Sequence, residues 1–191
     1  HGLWFNQFYA SGTRTVRGLE ALSLAIPPTP GQSIVRRPDN DDMVTMGSVL
    51  KNKGYDVHYI YGGNSFFDNM GKFFSNSSYR VLDKRDIPDS LVHLTTAWGV
   101  DDEAAFNFTL QQCDKSFNTG KPFFNHIMTV SNHRPYTYPE GRIDISPTYQ
   151  SIQGAVKYTD YAINKFIKDA EKKPWFKNTL FVIVADHCAK S

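Results

Sequence analysis

Cysteine is almost missing from this chain of 191 residues: Cys113 and Cys188 are the only two. Two thiols make no disulfide framework, nothing resembles a Cys-x-x-Cys pair, and the redox compartment is left open. No stretch reaches the roughly 20 apolar residues of a membrane-spanning helix, and no basic-then-apolar leader opens the sequence. One-sided charge is missing too. The 21 Lys and Arg nearly balance the 19 Asp and Glu, and the cations are scattered, which gives no footprint for nucleic acid. There is no internal repeat and no low-complexity tract.

What is present is an ordinary globular composition, 40% apolar and 21% charged, which excludes disordered and fibrous classes. A chain of this size makes one domain and buries roughly 70% of its unfolded surface. Aromatic residues are abundant, with 14 Phe and 10 Tyr, and are expected to fill the core. The sequence opens mid-phrase at His1-Gly2-Leu3-Trp4 and stops at Ala189-Lys190-Ser191, so a piece of a longer protein is expected.

Periodicity places a short helix over Val16–Ile26, halted by Pro27-Pro28, then an irregular connection over residues 27–42 and a helix over Met43–Lys53. Tyr55–Tyr61 reads as a strand closed by Gly62-Gly63, and Asn64–Phe74 as a further helix. A helix over Asp101–Phe117 carries acids in its first turn, where they favour the positive end of the helix dipole. Phe123–Val130 reads as a strand and Ile152–Glu171 as the longest helix. The apolar run Thr179–Ala185 is expected to be a buried strand. Strands alternating with helices predict an α/β fold, a mainly parallel sheet sandwiched between helices.

Parallel strands deliver their exits to one edge, where sites of open α/β sheets lie. Asn64 and Asp68 follow the first strand, His133 the second, and Asp186-His187 the third. A carboxylate and an imidazole suit Zn²⁺ or Mn²⁺, whereas Mg²⁺ normally avoids imidazole. As an alternative, Asp186 stabilises a strand-end turn beside an exposed histidine. Ser11-Gly12-Thr13-Arg14-Thr15 precedes a helix, where free backbone N–H groups attract an anion. Thr13 or Thr15 there serves as an N-cap worth about 1 kcal/mol, or as a nucleophile if a cation stabilises its alkoxide. His133 sits in a polar loop, either as a surface residue or as part of the site. His1, His58, His93 and His126 lack converging partners and are taken as structural.

Five ordered phrases carry a resemblance that spans the chain: Tyr9 to Ala21, Tyr61-Gly62-Gly63 with Phe67-Asp68-Asn69-Met70, Ser131 to Tyr136, Val156 to Tyr161, and Ala185-Asp186-His187. Together they resemble the lipoteichoic acid synthase-like, phosphoglycerol transferase branch of the alkaline phosphatase and sulfatase superfamily. The resemblance implies a partial sulfatase-like catalytic domain over residues 1–191, incomplete at both ends. It implies Thr15 as nucleophile and metal ligand, with Thr13 in reserve. Asp186 and His187 are implied as further ligands of one divalent ion, Mn²⁺ or Zn²⁺. His133 would contact the substrate phosphate or protonate the leaving group, and Arg14, Asp68, Asn69 and Trp98 would touch the head group, although Trp98 equally suits a core anchor. Arg17 could screen phosphate charge or simply face solvent.

The implied reaction moves a phosphoglycerol or phosphoethanolamine head group from a phospholipid donor to a glycan, lipid or glycerophosphate acceptor through a phospho-threonine. The implied setting is a bacterial membrane protein, anchored by segments outside this chain, with its catalytic domain outside the cytoplasm. The family's fourth metal ligand, a glutamate on a strand upstream of the nucleophile, has no counterpart before Ser11, so weak metal binding by these residues alone is expected. A sulfatase or phosphodiesterase is the competing activity. A sulfatase would show Cys/Ser-x-Pro-x-Arg, where this chain reads Thr15-Val16-Arg17-Gly18. A non-catalytic module that binds an anionic lipid or glycan is the alternative of another class.

Overall fold

A computed structural model describes residues 2–188; His1 and the phrase Ala189-Lys190-Ser191 lie outside the described residues. The elements run α1 (Thr15–Leu24), α2 (Met46–Asn52), β1 (Asp56–Tyr61), α3 (Met70–Asn76), β2 (Arg80–Leu82), α4 (Asp102–Asn118), β3 (Phe123–Met128) and α5 (Ile152–Ala170). Their ends have local causes. The α1 helix stops where Ala25 turns left-handed ahead of the two prolines. At α4 and α5 the side chains of Asp101 and Ser151 accept the free backbone N–H groups of Ala104 and Gly154.

The three strands form one parallel sheet in the order β2-β1-β3. Tyr59 of β1 pairs with Val81 on one side and with His126 on the other. Side chains alternate across a strand, and β1 uses both faces. Val57, Tyr59 and Tyr61 pack with Val16 and Leu19 of α1 and with Met70, Phe73 and Phe74 of α3. Ile60 turns the other way, onto Ala104, Ala105 and Phe108 of α4. A third cluster joins Phe106 and Leu110 of α4 to Tyr158 and Phe166 of α5. Each buried Val, Leu, Ile, Phe or Met side chain contributes roughly 1.5–3 kcal/mol, and the helix-covered parallel sheet is the α/β fold expected.

Three local expectations are corrected. Helix α2 starts at Met46 instead of Met43, because Thr45 and Ser48 form a reciprocal capping box. Asn64–Phe74 is not one helix: Asp68 (φ 52°) and Asn69 (φ 61°) are left-handed, which breaks the backbone before α3. Strand β2 went unseen because three residues are too few for a period of two to register.

The largest correction concerns residues 179–185. This run joins no ladder among the described residues, and Leu180, Val182 and Ile183 are 85%, 76% and 68% exposed. Apolar, β-branched composition supplies propensity, but a strand exists only where a neighbouring backbone offers its N–H and C=O groups. Thr179 is tied at the start of the run to the Trp175 carbonyl, and Phe181 is the apolar residue anchored, against Phe166 and Phe176.

Candidate active site

The exits of β1 and β3 and the first turn of α1 converge on one edge of the sheet. Thr15 is the first residue of α1, half-buried, and its Oγ1 lies 3.5 Å from His187 Nε2. Asp186 Oδ2 is also 3.5 Å from that nitrogen. The other imidazole nitrogen, Nδ1, donates to the Cys188 carbonyl at 2.8 Å. That bond fixes the tautomer and leaves the Nε2 lone pair facing Thr15 and Asp186.

This donor set fits a divalent ion. Ligands held tetrahedrally at about 2.0–2.1 Å from a metal stand about 3.3 Å apart, close to the two 3.5 Å separations found here. Asp186 Oδ1 is occupied by the His187 backbone N–H at 3.0 Å, and Oδ2 is the oxygen near the imidazole Nε2. Thr13, the reserve nucleophile, is exposed.

The Asp186–His187 pair is brought here by a backbone approach. Gly18, one turn along α1 from Thr15, has its α carbon against the Asp186 main chain, and an added Cβ would lie 2.9 Å from Asp186 Cα and overlap the carbonyl. Only a residue without a side chain permits that contact.

His133 follows β3 and is held by Trp98. The two rings stack with centroids 4.2 Å apart and planes 17° from parallel, while Trp98 Nε1 donates to the Arg134 carbonyl at 2.7 Å. Phe67 meets the indole edge-on at 6.0 Å. The tryptophan reaches this place because two glycine-bearing loops cross: Val100 N donates to the Gly62 carbonyl at 2.9 Å. Gly99, at φ +147°, leaves no space for a Cβ against Gly62. Burial holds the His133 imidazole below its ordinary pKa of 6.5; the Asp186 carboxylate opposes that shift and His187 adds to it. His133 therefore shares an electrostatic environment with the Thr15–Asp186–His187 group.

The remaining candidates are spread around this edge. Asp68 is paired with Arg36 at 3.2 Å and more loosely with Arg14 at 3.9 Å, so Arg14 is tethered beside Thr15 yet mostly exposed. Asn69 gives its side-chain amide to the Val35 carbonyl at 3.1 Å and ties the loop after β1 to residues 34–36. Arg17 turns away, onto Glu20 at 2.8 Å and the Gly31 carbonyl. His93 does have partners, contrary to expectation: with Asp101 and Glu103 it offers three possible ligand atoms within 4.8 Å of one another. Those acids are already committed, Asp101 to the backbone N–H groups of His93, Leu94 and Ala104, and Glu103 to Arg142.

Sequence reasoning missed the buried acids at the start of α4. Asp101, Asp102 and Glu103 are each under 5% exposed, although sequence analysis credited these acids only to the helix dipole. Three consecutive acids opening an apolar helix were the available signal, since buried carboxylates persist only when paired.

Comparison with known proteins gives the family. The sulfatase family model matches residues 1–191. Phosphoglycerol transferase I of Xanthomonas euvesicatoria pv. vesicatoria is 26% identical over 193 residues, covering 92% of this chain and 27% of that protein. Phosphoglycerol transferase I of Escherichia coli O139:H28 is 25% identical over 154 residues, covering 76% and 20%. The chain thus spans about a quarter of the length of these curated relatives. Among solved structures, an alkaline phosphatase superfamily protein from Vibrio parahaemolyticus superposes with a TM-score of 0.83 at 35% identity, covering 90% of this chain and 42% of that one. The lipoteichoic acid synthase LtaP of Listeria monocytogenes shares the fold, with a TM-score of 0.76 at 17% identity and coverages of 87% and 42%. The chain belongs to the sulfatase family, in the alkaline phosphatase superfamily, and the resemblance drawn from its five phrases holds.

Proposed function

We propose that this chain carries the catalytic edge of a metal-dependent transferase that moves a phosphoglycerol or phosphoethanolamine head group out of a phospholipid. The observation that carries this reading is the convergence of Thr15 Oγ1 and Asp186 Oδ2 on the free Nε2 of His187. A bound Mn²⁺ or Zn²⁺ would be held by these three side chains and would supply Lewis-acid stabilisation of the threonine alkoxide.

Thr15 Oγ1 attacks the phosphodiester phosphorus and loses its proton to solvent. The bond from phosphorus to the diacylglycerol oxygen breaks, and His133, protonated as the anionic phosphate approaches, hands its proton to that oxygen. An acceptor hydroxyl then attacks the phospho-threonine and its proton passes to His133; the bond from phosphorus to Thr15 Oγ1 breaks, and that oxygen takes a proton back from solvent. Trp98 fixes the plane of His133, and Arg14 offers its charge to the head group while tethered by Asp68. The Cys/Ser-x-Pro-x-Arg nucleophile phrase is absent from residues 15–18, which favours transfer over sulfate-ester hydrolysis. The phosphoglycerol transferase relatives favour the same kind of transfer, and the setting that goes with this reading is extracytoplasmic and membrane-anchored. No helix among the described residues is long and apolar enough to cross a membrane, so the anchor would be supplied from outside them.

The test is intact-mass and peptide mass spectrometry of the natural full-length protein with Mn²⁺ and a phosphatidylglycerol and phosphatidylethanolamine mixture. A head-group phosphate adduct on Thr15, lost in Thr15→Ala, is the expected result, and its mass names the donor. An adduct on Thr13 would move the nucleophile. No adduct, with lipid binding unchanged by Thr15→Ala, would replace the transferase with a binding module.

A further inference from the structure

Asp102 is fully shielded from solvent, and the proposed reaction gives it no task. Its Oδ1 accepts the backbone N–H groups of Val130 and Ser131, both at 3.1 Å. Its Oδ2 accepts the Thr159 hydroxyl at 3.1 Å. That hydroxyl in turn accepts the side-chain amide of Asn132 at 2.7 Å. One carboxylate on α4 and one threonine on α5 thus engage residues 130, 131 and 132, the three that lead into His133. The phrase Val156–Tyr161, which carries part of the family resemblance but no catalytic group, acquires a purpose through Thr159.

The arrangement is costly unless it does something. Taking a carboxylate out of water is unfavourable, and donors offset the loss only when all are aligned. Here two of the three donors to Asp102 are backbone N–H groups of the segment leaving β3, and the third, the Thr159 hydroxyl, is itself engaged by Asn132 of that segment; Trp98 clasps the same segment through the His133 ring and the Arg134 carbonyl.

We infer that Asp102 and Thr159 are positioning residues that set the backbone before His133 and thereby aim its imidazole at the Thr15–Asp186–His187 edge. Neither touches the reacting atoms; both act through the loop. The inference rests on the proposed transferase reaction for its kinetic consequence, but not for the structural one.

Asp102→Asn, Thr159→Val and Thr159→Ser in the natural full-length protein test it. Asp102→Asn replaces one acceptor oxygen with a donor amide, Thr159→Val removes the hydroxyl at constant shape, and Thr159→Ser keeps it. The expected result is faster hydrogen–deuterium exchange confined to residues 130–136 in Asp102→Asn and Thr159→Val. Phosphoglycerol transfer should show kcat lowered roughly tenfold to a hundredfold with KM little changed, the penalty of a misplaced catalytic group. Thr159→Ser should restore both readouts. If Asp102→Asn does not fold, the Thr159 pair decides alone. Folded variants with wild-type exchange at 130–136, or a kcat loss that Thr159→Ser shares with Thr159→Val, would overturn the inference. Faster exchange at 130–136 in the variants, together with a wild-type protein that transfers no head group, would sink the transferase reading and leave the positioning role intact.

Discussion

The α carbon of Gly18 rests against the main chain of Asp186, so closely that an added Cβ would lie 2.9 Å from Asp186 Cα. Residues 168 positions apart in sequence are thereby held in contact without a hydrogen bond or an ion pair between them. The contact sets Asp186 and His187 beside Thr15, one turn earlier on α1.

Gly18→Ala should therefore push Asp186 and His187 off α1. Alanine is the better helix former by up to about 1 kcal/mol, but the overlap costs roughly 1–3 kcal/mol. Head-group transfer is expected to fall at least tenfold while thermal unfolding shifts by only a few degrees. Unimpaired transfer in Gly18→Ala would mean that the Asp186 approach is incidental.

Trp98 governs His133 through a ring stack and a bond to the Arg134 carbonyl. Trp98→Ala removes both and should lower kcat roughly tenfold or more, the penalty of a mispositioned group. Trp98→Phe keeps a ring but not the N–H donor and should fall between the two. Equal kcat in the three proteins, with KM alone altered, would make Trp98 a head-group contact instead.

Metal affinity should depend on both residues of the pair. His187→Ala and Asp186→Ala are each expected to weaken Zn²⁺ or Mn²⁺ binding by tenfold or more in calorimetry of the full-length protein, and chelation should abolish transfer until Mn²⁺ is returned. His93→Ala should leave the affinity at the wild-type level, because Asp101 and Glu103 are already engaged by other donors. A loss confined to His93→Ala would relocate the metal to that cluster.

Asp83 fastens the loop after β1. Its carboxylate accepts the Ser65 N–H and hydroxyl at 3.1 and 2.7 Å and the Arg85 Nε at 2.9 Å. Burial works against the charge, but the Arg85 and Ser65 hydrogen bonds prevail and hold the carboxyl well below its ordinary 3.8. A depressed acid stabilises the fold above the unfolded pKa and loses that contribution as pH falls through about 3.8 toward the folded value. Asp83→Asn should cost about 1–3 kcal/mol at neutral pH and flatten the acid limb of a urea-unfolding series between about pH 5 and 2. An acid limb unchanged by the substitution would assign the acid sensitivity to other carboxylates.

The helices and the two longer strands were legible because they are long enough to show a period. The apolar positions of 152–170 repeat at helical spacing, and β1 alternates between two faces that the structure finds buried by different helices. The candidate site was legible in part: Asp186 and His187 stood out as adjacent ligand types after an apolar run and Thr15 with Thr13 at a helix start, the family resemblance joined Thr15 to the pair, and the structure brings the three together. The run at 179–185 was misread for a physical reason. Composition reports what a segment could do, and pairing depends on whether a partner backbone lies alongside.

The sequence by itself determined the longer helices, the two longer strands and the polar residues that follow those strands, since periodicity, caps and turns act over a few neighbours. It could not determine which distant residues meet. That Gly18 admits Asp186, that Trp98 covers His133 and that Asp102 grips residues 130 and 131 are contacts across large sequence separations. Only the close packing of α1, α4 and the crossing loops around one parallel sheet decides them, because van der Waals overlap and hydrogen-bond alignment depend on tenths of an ångström that no local pattern encodes.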